Sequence, residues 1–287
     1  MRDDFAAFIL THGRAGRVVT DKTLRMQGFT GRIVYVIDDE DCQGSEYRKI
    51  YGEENVQEFS KEEISKQFDE MVIGDKRTIV YARNACFDIA KRIGVRYFVE
   101  LDDDYTFFCF NYDAEFRAIP RKKNTKRLDD VFDAMVCFLE NTDERVKTIA
   151  FSQGGDFIGG PKDRKAVKVT RKAMNSFFCC TERRFWFIGR INEDVNTYAL
   201  FGNRGDLFFT TELFSLNQKI TQKNNGGMTD VYIANGTYLK SMFSVMAVPS
   251  AVRICYMGDS NKRLHHNVSW NNCVPKIVSE KYRKYGK

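Results

Sequence analysis

Five short strings in the chain carry side chains able to do chemistry. Asp102-Asp103-Asp104 and Asp38-Asp39-Glu40-Asp41 are runs of acids, each directly after an apolar stretch. Thr11-His12-Gly13-Arg14 follows a third apolar stretch, Asn192-Glu193-Asp194 lies mid-chain, and His265-His266 lies near the end. Like charges a few ångströms apart repel, so consecutive carboxylates at a buried strand end are costly unless a cation sits among them. Magnesium or manganese removes that cost, taking one or two protein carboxylates and completing its shell with phosphate oxygens and water. The competing reading is a solvated acidic turn. The buried strand before each run favours metal and nucleotide binding.

These strings must be held by elements, and the elements are legible. Phe5 to Leu10 and Ile33 to Ile37 read as buried strands. Thr20 to Gln27 fits one short helix between them, closed by Gly28, giving the strand–helix–strand start of a parallel sheet. Ala82, Cys86, Ile89, Ala90 and Ile93 recur at helical spacing and Gly94 stops that helix. Tyr97 to Leu101 is a third strand, running into Asp102. Leu128 to Leu139 marks a further helix, and Val146 to Phe151, Arg184 to Ile188 and Leu207 to Thr211 read as strands. In an open α/β sheet, ligands bind beyond the carboxyl ends of the strands. The loops at 11–14, 38–41 and 102–104 should therefore share one cleft. With no linker-like stretch, the reading is one domain: a nucleotide-type half at about 1–104 and an acceptor half at about 105–287.

Composition sets the class. With 287 residues, 14% aromatic and only four prolines, the chain is globular, neither disordered nor collagen-like. No apolar run reaches the roughly 18 residues of a membrane span, and Phe5 to Leu10 is too short for a signal-peptide core. The expectation is a soluble cytoplasmic protein. Eight cysteines are too few for a disulfide scaffold; Cys86, Cys137 and Cys255 read as small core residues. The net charge of +6 favours an anionic partner. Its cations gather at 117–127, at 162–172 and in the tail at 276–287. The glycine-rich stretch at 154–161 lacks phosphate-loop spacing and reads as a turn. Asn175, Phe185 and Trp186 are candidate acceptor-side residues.

Tyr81-Ala82-Arg83-Asn84, a helix, a strand and then Asp102-Asp103-Asp104 resembles the central signature of GT-A-type glycosyltransferases. Ile191-Asn192-Glu193-Asp194-Val195 resembles their second acidic motif, and Leu264-His265-His266 their C-terminal histidine. The strings ILTHGR, YVIDDED, VYARNACFDIAK, ELDDDYT, GRINEDVNTY and LHHNVSW, in that order, are together similar to the TET-associated glycosyltransferase family. Its members are mainly tailed-phage enzymes implicated in adding sugars to hydroxymethylated pyrimidines in DNA.

That resemblance implies an α/β, GT-A-like fold and a hexosyl- or pentosyltransferase. The donor would be a UDP-sugar with Mn²⁺ or Mg²⁺ as cofactor. The partner would be DNA carrying 5-hydroxymethylcytosine or a related base. Thr11 and Arg14 would line the nucleotide pocket, Asp38 would reach the uridine, and Arg83 would neutralise the diphosphate. Asp102 would face the ribose or the sugar, and Asp103 would either bind beside it or be the one of the three turned to solvent. Asp104 would hold the metal with one of His265 and His266. Asp194 would be the catalytic base, with Glu193 next to it. Read without the resemblance, Asn192-Glu193-Asp194 is also an ordinary helix start, since Asn caps and acids suit a first turn. Three rival functions fit parts of the pattern: a glycosyltransferase acting on protein or glycan, a nucleotidyltransferase, and a non-catalytic nucleic-acid-binding module.

Overall fold

A computed structural model describes residues 1–71, 76–119, 123–153, 167–218, 239–257 and 263–276. The chain begins with strand β1 (Phe5–Leu10), helix α1 (Thr20–Met26) and strand β2 (Arg32–Asp38). Helix α2 (Gly44–Tyr51), strand β3 (Val56–Phe59) and helix α3 (Lys61–Ser65) follow. Helix α4 (Val80–Arg92) then leads into strand β4 (Tyr97–Asp102). Beyond it come β5 (Tyr105–Phe110), α5 (Leu128–Glu140), β6 (Val146–Ser152), β7 (Val167–Lys168) and β8 (Ser176–Cys180). Helix α6 (Glu193–Asn203) and strand β9 (Leu207–Gln218) precede a two-stranded hairpin of β10 (Val252–Met257) and β11 (Arg263–Val268).

One sheet joins both halves, in the order β3-β2-β1-β4-β8-β6-β9-β5, with β7 on β9. Strands β3, β2, β1 and β4 are parallel, so their carboxyl ends share one edge. Strand β8 runs antiparallel to β4, with Leu101 opposite Ser176. The segment leading into β8 therefore projects past the carboxyl end of β4. Both faces of the central strands are covered, which is why β1 is an unbroken apolar run. Phe5, Ala7 and Ile9 enter one core with α1, α2 and α5, while Ala6, Phe8 and Leu10 enter the other with α3, α4 and α6. The α/β class and the strand–helix–strand start are as the sequence predicts.

Two expectations differ. Residues 184–188 form no strand. Phe185 and Phe187 do alternate into the core, but the Phe187 backbone bonds to the Asn84 side chain instead of a neighbouring strand. The pattern records burial, and side-chain partners replace the ladder. Cys137 is exposed on α5, whereas Cys86 is buried and Cys255 intermediate. The glycine-rich stretch at 154–161 lies outside the described residues, as do Lys122, Lys162 and the chain after 276. Among the described residues, no helix is long and apolar enough to cross a membrane.

Candidate active site

The loop after β1 is tied to the acids after β4. Thr11 Oγ1 donates to Asp103 Oδ2 at 2.8 Å, and the Arg14 guanidinium pairs with Asp103 Oδ1. Tyr47 of α2, fully buried, braces this loop: its hydroxyl lies 2.9 Å from Thr11 Oγ1 and accepts from the Arg14 backbone N–H at 2.8 Å. The start of α1 is fixed to the same turn, since Thr20 Oγ1 donates to the Asp102 carbonyl at 2.6 Å and the Val19 N–H to the Asp103 carbonyl at 2.9 Å. Thr11, Arg14, Asp102 and Asp103 are thus brought together as expected from adjacent parallel strands, and Asp103 is buried against Thr11 and Arg14 instead of turning to solvent. Tyr47 has no signal in the sequence beyond being an aromatic in a short helix.

Asp38 stands at the end of β2 with both carboxylate oxygens already partnered. Oδ2 meets His12 Nδ1 at 2.7 Å; Oδ1 accepts from Lys61 Nζ at 2.8 Å. Its burial would raise its pKa, but hydrogen bonds from His12 and Lys61 hold it below the ordinary value. His12 in turn is raised, chiefly by its bond to Asp38. The more exposed group at this corner is His12, which sequence reasoning passed over. Its signal was available: it is one of three histidines and sits inside the Thr11–Arg14 string.

Arg83 is placed differently from the diphosphate-facing position the resemblance implies. It is 1% exposed and surrounded by three carboxylates. Nε donates to Glu193 Oε1 at 3.2 Å, Nη2 to Asp102 Oδ1 at 3.3 Å, and Nη1 lies 3.6 Å from Glu100 Oε2. The rings of Phe177 and Phe187 cover it, 4.9 and 5.7 Å from its carbon. Its charge is committed inside the protein. Neighbouring Asn84 holds Phe187 by two bonds, from Nδ2 to the carbonyl at 2.9 Å and from the Phe187 N–H to Oδ1 at 2.8 Å. Arg184 pairs with Asp88, also on α4. Helix α4 therefore holds Arg184, Phe187 and Glu193 of the segment that leads to Asp194.

That delivery is rigid. Asn192 adopts a left-handed conformation, φ 53°, a region asparagine tolerates better than most residues. Its side chain does not cap α6. Instead, Asn192 Nδ2 donates to the Lys240 carbonyl at 2.6 Å and to Ser244 Oγ at 3.0 Å. Asn196 Nδ2 closes the turn from behind, donating to the carbonyls of Ile188 and Ile191. Ser241 Oγ donates to the Leu264 carbonyl at 3.2 Å, so β11 with His265 and His266 approaches the same helical residues, 239–247.

The electrostatics mark an acid-rich cleft. Burial pushes Asp102 up to about 7, opposed by Arg83 and reinforced by Asp104, Asp103 and Glu193. Burial also raises Glu193 and Asp194; the Val195 N–H, Arg83, Lys240 and Lys172 pull Asp194 back. Burial lowers His266 to about 4, and His265, Lys240 and Lys172 act in the same direction. His266 Nδ1 is buried without a hydrogen-bond partner. A neutral imidazole with an unused ring nitrogen and a run of mutually repelling carboxylates are the donor chemistry a divalent cation takes. Among the described residues, no three His, Cys, Asp or Glu side chains converge into a ready-made cage. Magnesium and manganese do not require one, because phosphate and water complete their shells.

On the acceptor side, Phe185 is buried against Phe87, Phe187 and Phe208 and is a core residue. Trp186 is half-buried, with the Arg184 guanidinium 3.9 Å from its ring centre. Asn175 is left-handed and its carbonyl accepts from the Tyr105 hydroxyl. Part of the cationic surface is neutralised internally: Arg117 pairs with Asp113 and Glu115, Arg127 with Asp130, and Lys168 with Glu212. A separate cavity of about 560 Å³ lies between α1 and the opening residues of β2.

The family model described as TET-Associated Glycosyltransferase matches residues 5–227. No curated protein matches the chain in sequence. Among solved structures, glucosyl-3-phosphoglycerate synthase from Mycobacterium tuberculosis, in complex with Mn²⁺, UDP and phosphoglyceric acid, is 9% identical with a TM-score of 0.45. That match covers 95% of this chain and 88% of the other. The mannosyltransferase PcManGT from Pyrobaculum calidifontis, with GDP-Man and Mn²⁺, is 12% identical with a TM-score of 0.48, covering 87% of this chain and 73% of the other.

Proposed function

The chain belongs to the TET-associated glycosyltransferase family, and from that premise we propose that it moves a sugar from a UDP-sugar to the hydroxymethyl group of a 5-hydroxymethylpyrimidine in DNA, in the cytoplasm, as a phage DNA-modification enzyme. The observation that carries the site reading is one junction. Arg83 joins the acidic end of β4, which is tied to the loop after β1, to the first residue of α6. A donor seated beyond the strand ends would therefore lie beside Asp194.

Each group then has a task. Thr11, Arg14 and Asp103 shape the floor of the donor pocket, and His12, backed by Asp38, stands at its rim. Asp104 and the unused ring nitrogen of His266 would hold Mn²⁺ or Mg²⁺, which when bound would stabilise charge on the departing diphosphate. Asp194 accepts the proton of the acceptor hydroxyl. A carboxylate cannot deprotonate an alcohol in advance, so proton transfer accompanies attack on the anomeric carbon. Burial, by raising Asp194, makes it a better acceptor for that proton. A base opposite the leaving group gives inversion. Glu193, held by Arg83, fixes the helix start that presents Asp194.

The test is a screen of UDP-sugars against hydroxymethylated and unmodified DNA, with mass spectrometry of the digested nucleosides. A sugar-sized mass increase confined to the hydroxymethylated base is the expected result. Efficient transfer to protein or oligosaccharide, with hydroxymethylated DNA ignored at low salt, overturns the acceptor while leaving a glycosyltransferase. Pyrophosphate release from a nucleoside triphosphate would instead indicate nucleotidyl transfer.

A further inference from the structure

The cavity of about 560 Å³ lies away from the acid-rich edge. Arg32 and Ile33, which open β2, line it, whereas Asp38 closes that strand at the active-site end. At the rise of a strand, the backbones of Arg32 and Asp38 stand about 20 Å apart. Helix α1 forms one side of the cavity, and Tyr51, the last residue of α2, lies on the other. Tyr35 and Tyr51 make a flat apolar wall, their rings stacked with centres 3.9 Å apart. Asn55 Nδ2 donates to the Tyr51 carbonyl at 2.9 Å, which fixes an amide beside the rings.

Lys22, Arg25 and Arg32 bring three cations to this one concavity. Lys22 and Arg32 are exposed, and among the described residues neither side chain has an ion-pair or hydrogen-bond partner. Arg25 Nη1 donates to the carbonyls of Phe29 and Gly31, at 2.9 and 2.8 Å, which hold it without balancing its charge. The one acid in the lining, Asp21, is buried and already engaged. Its Oδ2 accepts from the Tyr35 hydroxyl at 2.9 Å and its Oδ1 from the Lys22 N–H at 2.6 Å. Like charges held together repel, and an anion among them removes that cost. The volume sets the kind of anion, since it falls within the roughly 300–1,000 Å³ of pockets that take organic ligands.

We propose that this cavity is a second binding site, separate from the donor pocket, for a nucleoside phosphate. Lys22 and Arg32 hold the phosphate, and the base lies against Tyr51 and Tyr35. The proposal is independent of the UDP-sugar reading. Phosphate oxygens suit both a lysine point charge and the arginine fork. Aromatic rings accept any base, because every base has a π-face. An acidic peptide would meet the cations and leave the ring wall unused. A free nucleotide and one residue of a nucleic-acid strand share this chemistry.

The experiment is titration calorimetry of the full chain, in chelator, with deoxyadenosine monophosphate, deoxyadenosine, inorganic phosphate and a short oligodeoxyadenylate. Adenine belongs to neither the proposed donor nor the proposed acceptor. The nucleotide should bind more tightly than the nucleoside or phosphate. Lys22→Gln and Arg32→Gln should each lose about tenfold in nucleotide affinity, the scale of one charge-assisted hydrogen bond. Tyr51→Leu should lose about tenfold through stacking. Lys66→Gln, which removes an equal charge from an exposed pair with Glu62, should change nothing. The oligonucleotide identifies the source. Tighter binding than the mononucleotide, with a salt dependence that flattens in Arg32→Gln, assigns a strand; equal binding assigns the free nucleotide. No binding of the nucleotide overturns the proposal, as does wild-type affinity in a Lys22→Gln, Arg32→Gln double variant that folds by its melting curve. Phosphate bound as tightly as the nucleotide overturns the base-binding wall. UDP binding in Mn²⁺, measured on the same variants, should be unchanged, so failure of the donor reading is seen separately.

Discussion

The Arg83 guanidinium and the Glu193 carboxylate, 110 positions apart in sequence, meet through Nε and Oε1 at 3.2 Å inside the protein. The pair fastens the first turn of α6 to α4, and through Asp102 to the end of β4. Removing one partner of a buried ion pair typically costs about 3–5 kcal/mol, because the other charges are left uncompensated. Arg83→Met fills similar volume but leaves Asp102 and Glu193 without a cation. It should lower the melting temperature and abolish turnover together. Glu193→Gln keeps a hydrogen-bond acceptor for Nε and should keep the fold while slowing transfer. Full activity in Arg83→Met would remove the junction from the mechanism.

Glu100 gives a pH signature to the same junction. It is fully buried on β4, neither carboxylate oxygen has a hydrogen-bond partner, and burial raises it to about 8 despite Arg83. The sign follows from linkage. The folded state holds this proton more tightly than the unfolded chain, so stability is greatest below the unfolded value of about 4.5 and falls as pH rises toward about 8. The slope is at most about 1.4 kcal/mol per pH unit for one proton. Glu100→Gln should remove it. Denaturant melts from pH 5 to 8.5 compare the two, and equal slopes would show that Glu100 holds no extra proton.

How much of this was legible follows from what kind of interaction made each part. The ends of β1, β2 and β4 could be read because a parallel strand buried on both faces leaves an unbroken apolar run ending in polar residues. Asp102-Asp103-Asp104 was readable as acids in a costly position, whereas Glu193-Asp194 by itself read as an ordinary helix start and stood out only through the family resemblance. What escaped were the partners. Nothing local to Arg83 says that it will be enclosed by Glu100, Asp102 and Glu193. Nothing local to Asp38 says that His12 and Lys61 will occupy both its oxygens. Such pairings depend on which strand ends and loops become neighbours, a tertiary fact. The false strand at 184–188 has the same origin: alternation reported burial, while Asn84, remote in sequence, supplied the backbone partners.

The Asn84 clamp is itself testable. Two buried backbone groups of Phe187 depend on one amide side chain, and each group left unsatisfied costs about 1–3 kcal/mol. Asn84→Ala should therefore be destabilising by several kcal/mol at most and should loosen residues 185–192. Hydrogen exchange would register faster exchange there and little change in β1 and β2. Asn84→Asp keeps the acceptor for the Phe187 N–H but loses the donor, so it should fall between wild type and alanine. Uniform exchange changes across the sheet would refute a local role.

At the end of β2, His12 and Asp38 titrate as partners. His12 is raised by Asp38, so its contribution to stability is full below about 6.5 and is lost as pH rises through its folded pKa. Asp38 is lowered, so its contribution is full above its ordinary value near 3.8 and is lost as pH falls through its folded pKa. The window in which both charges help thus runs from about 4 to somewhat above 6.5. Proton NMR should find one of the three histidines titrating above 6.5, and Asp38→Asn should return that resonance toward it. His266, lowered to about 4, should stay neutral in the same spectra. An unchanged titration in Asp38→Asn would break the pairing.

The last prediction separates binding from chemistry at Asp194. Asp194→Asn preserves the shape and removes the proton acceptor. The Val195 N–H beside Asp194 favours the charged form of its carboxylate, an interaction the asparagine oxygen can keep. The helix start should therefore survive, all the more because Asn192 and Asn196 hold it through other partners. Donor binding should stay within a few-fold of wild type, while turnover falls by about 10² or more, the usual scale for a general base. Chelator should abolish wild-type turnover and manganese restore it, and neither treatment should rescue the asparagine variant. Asp104→Ala should show the opposite division, losing metal-dependent UDP binding along with turnover. Loss of UDP binding and a lowered melting point in Asp194→Asn would instead identify Asp194 as a residue that builds the helix start, and would pass the role of base to Glu193 or to a group on the acceptor side.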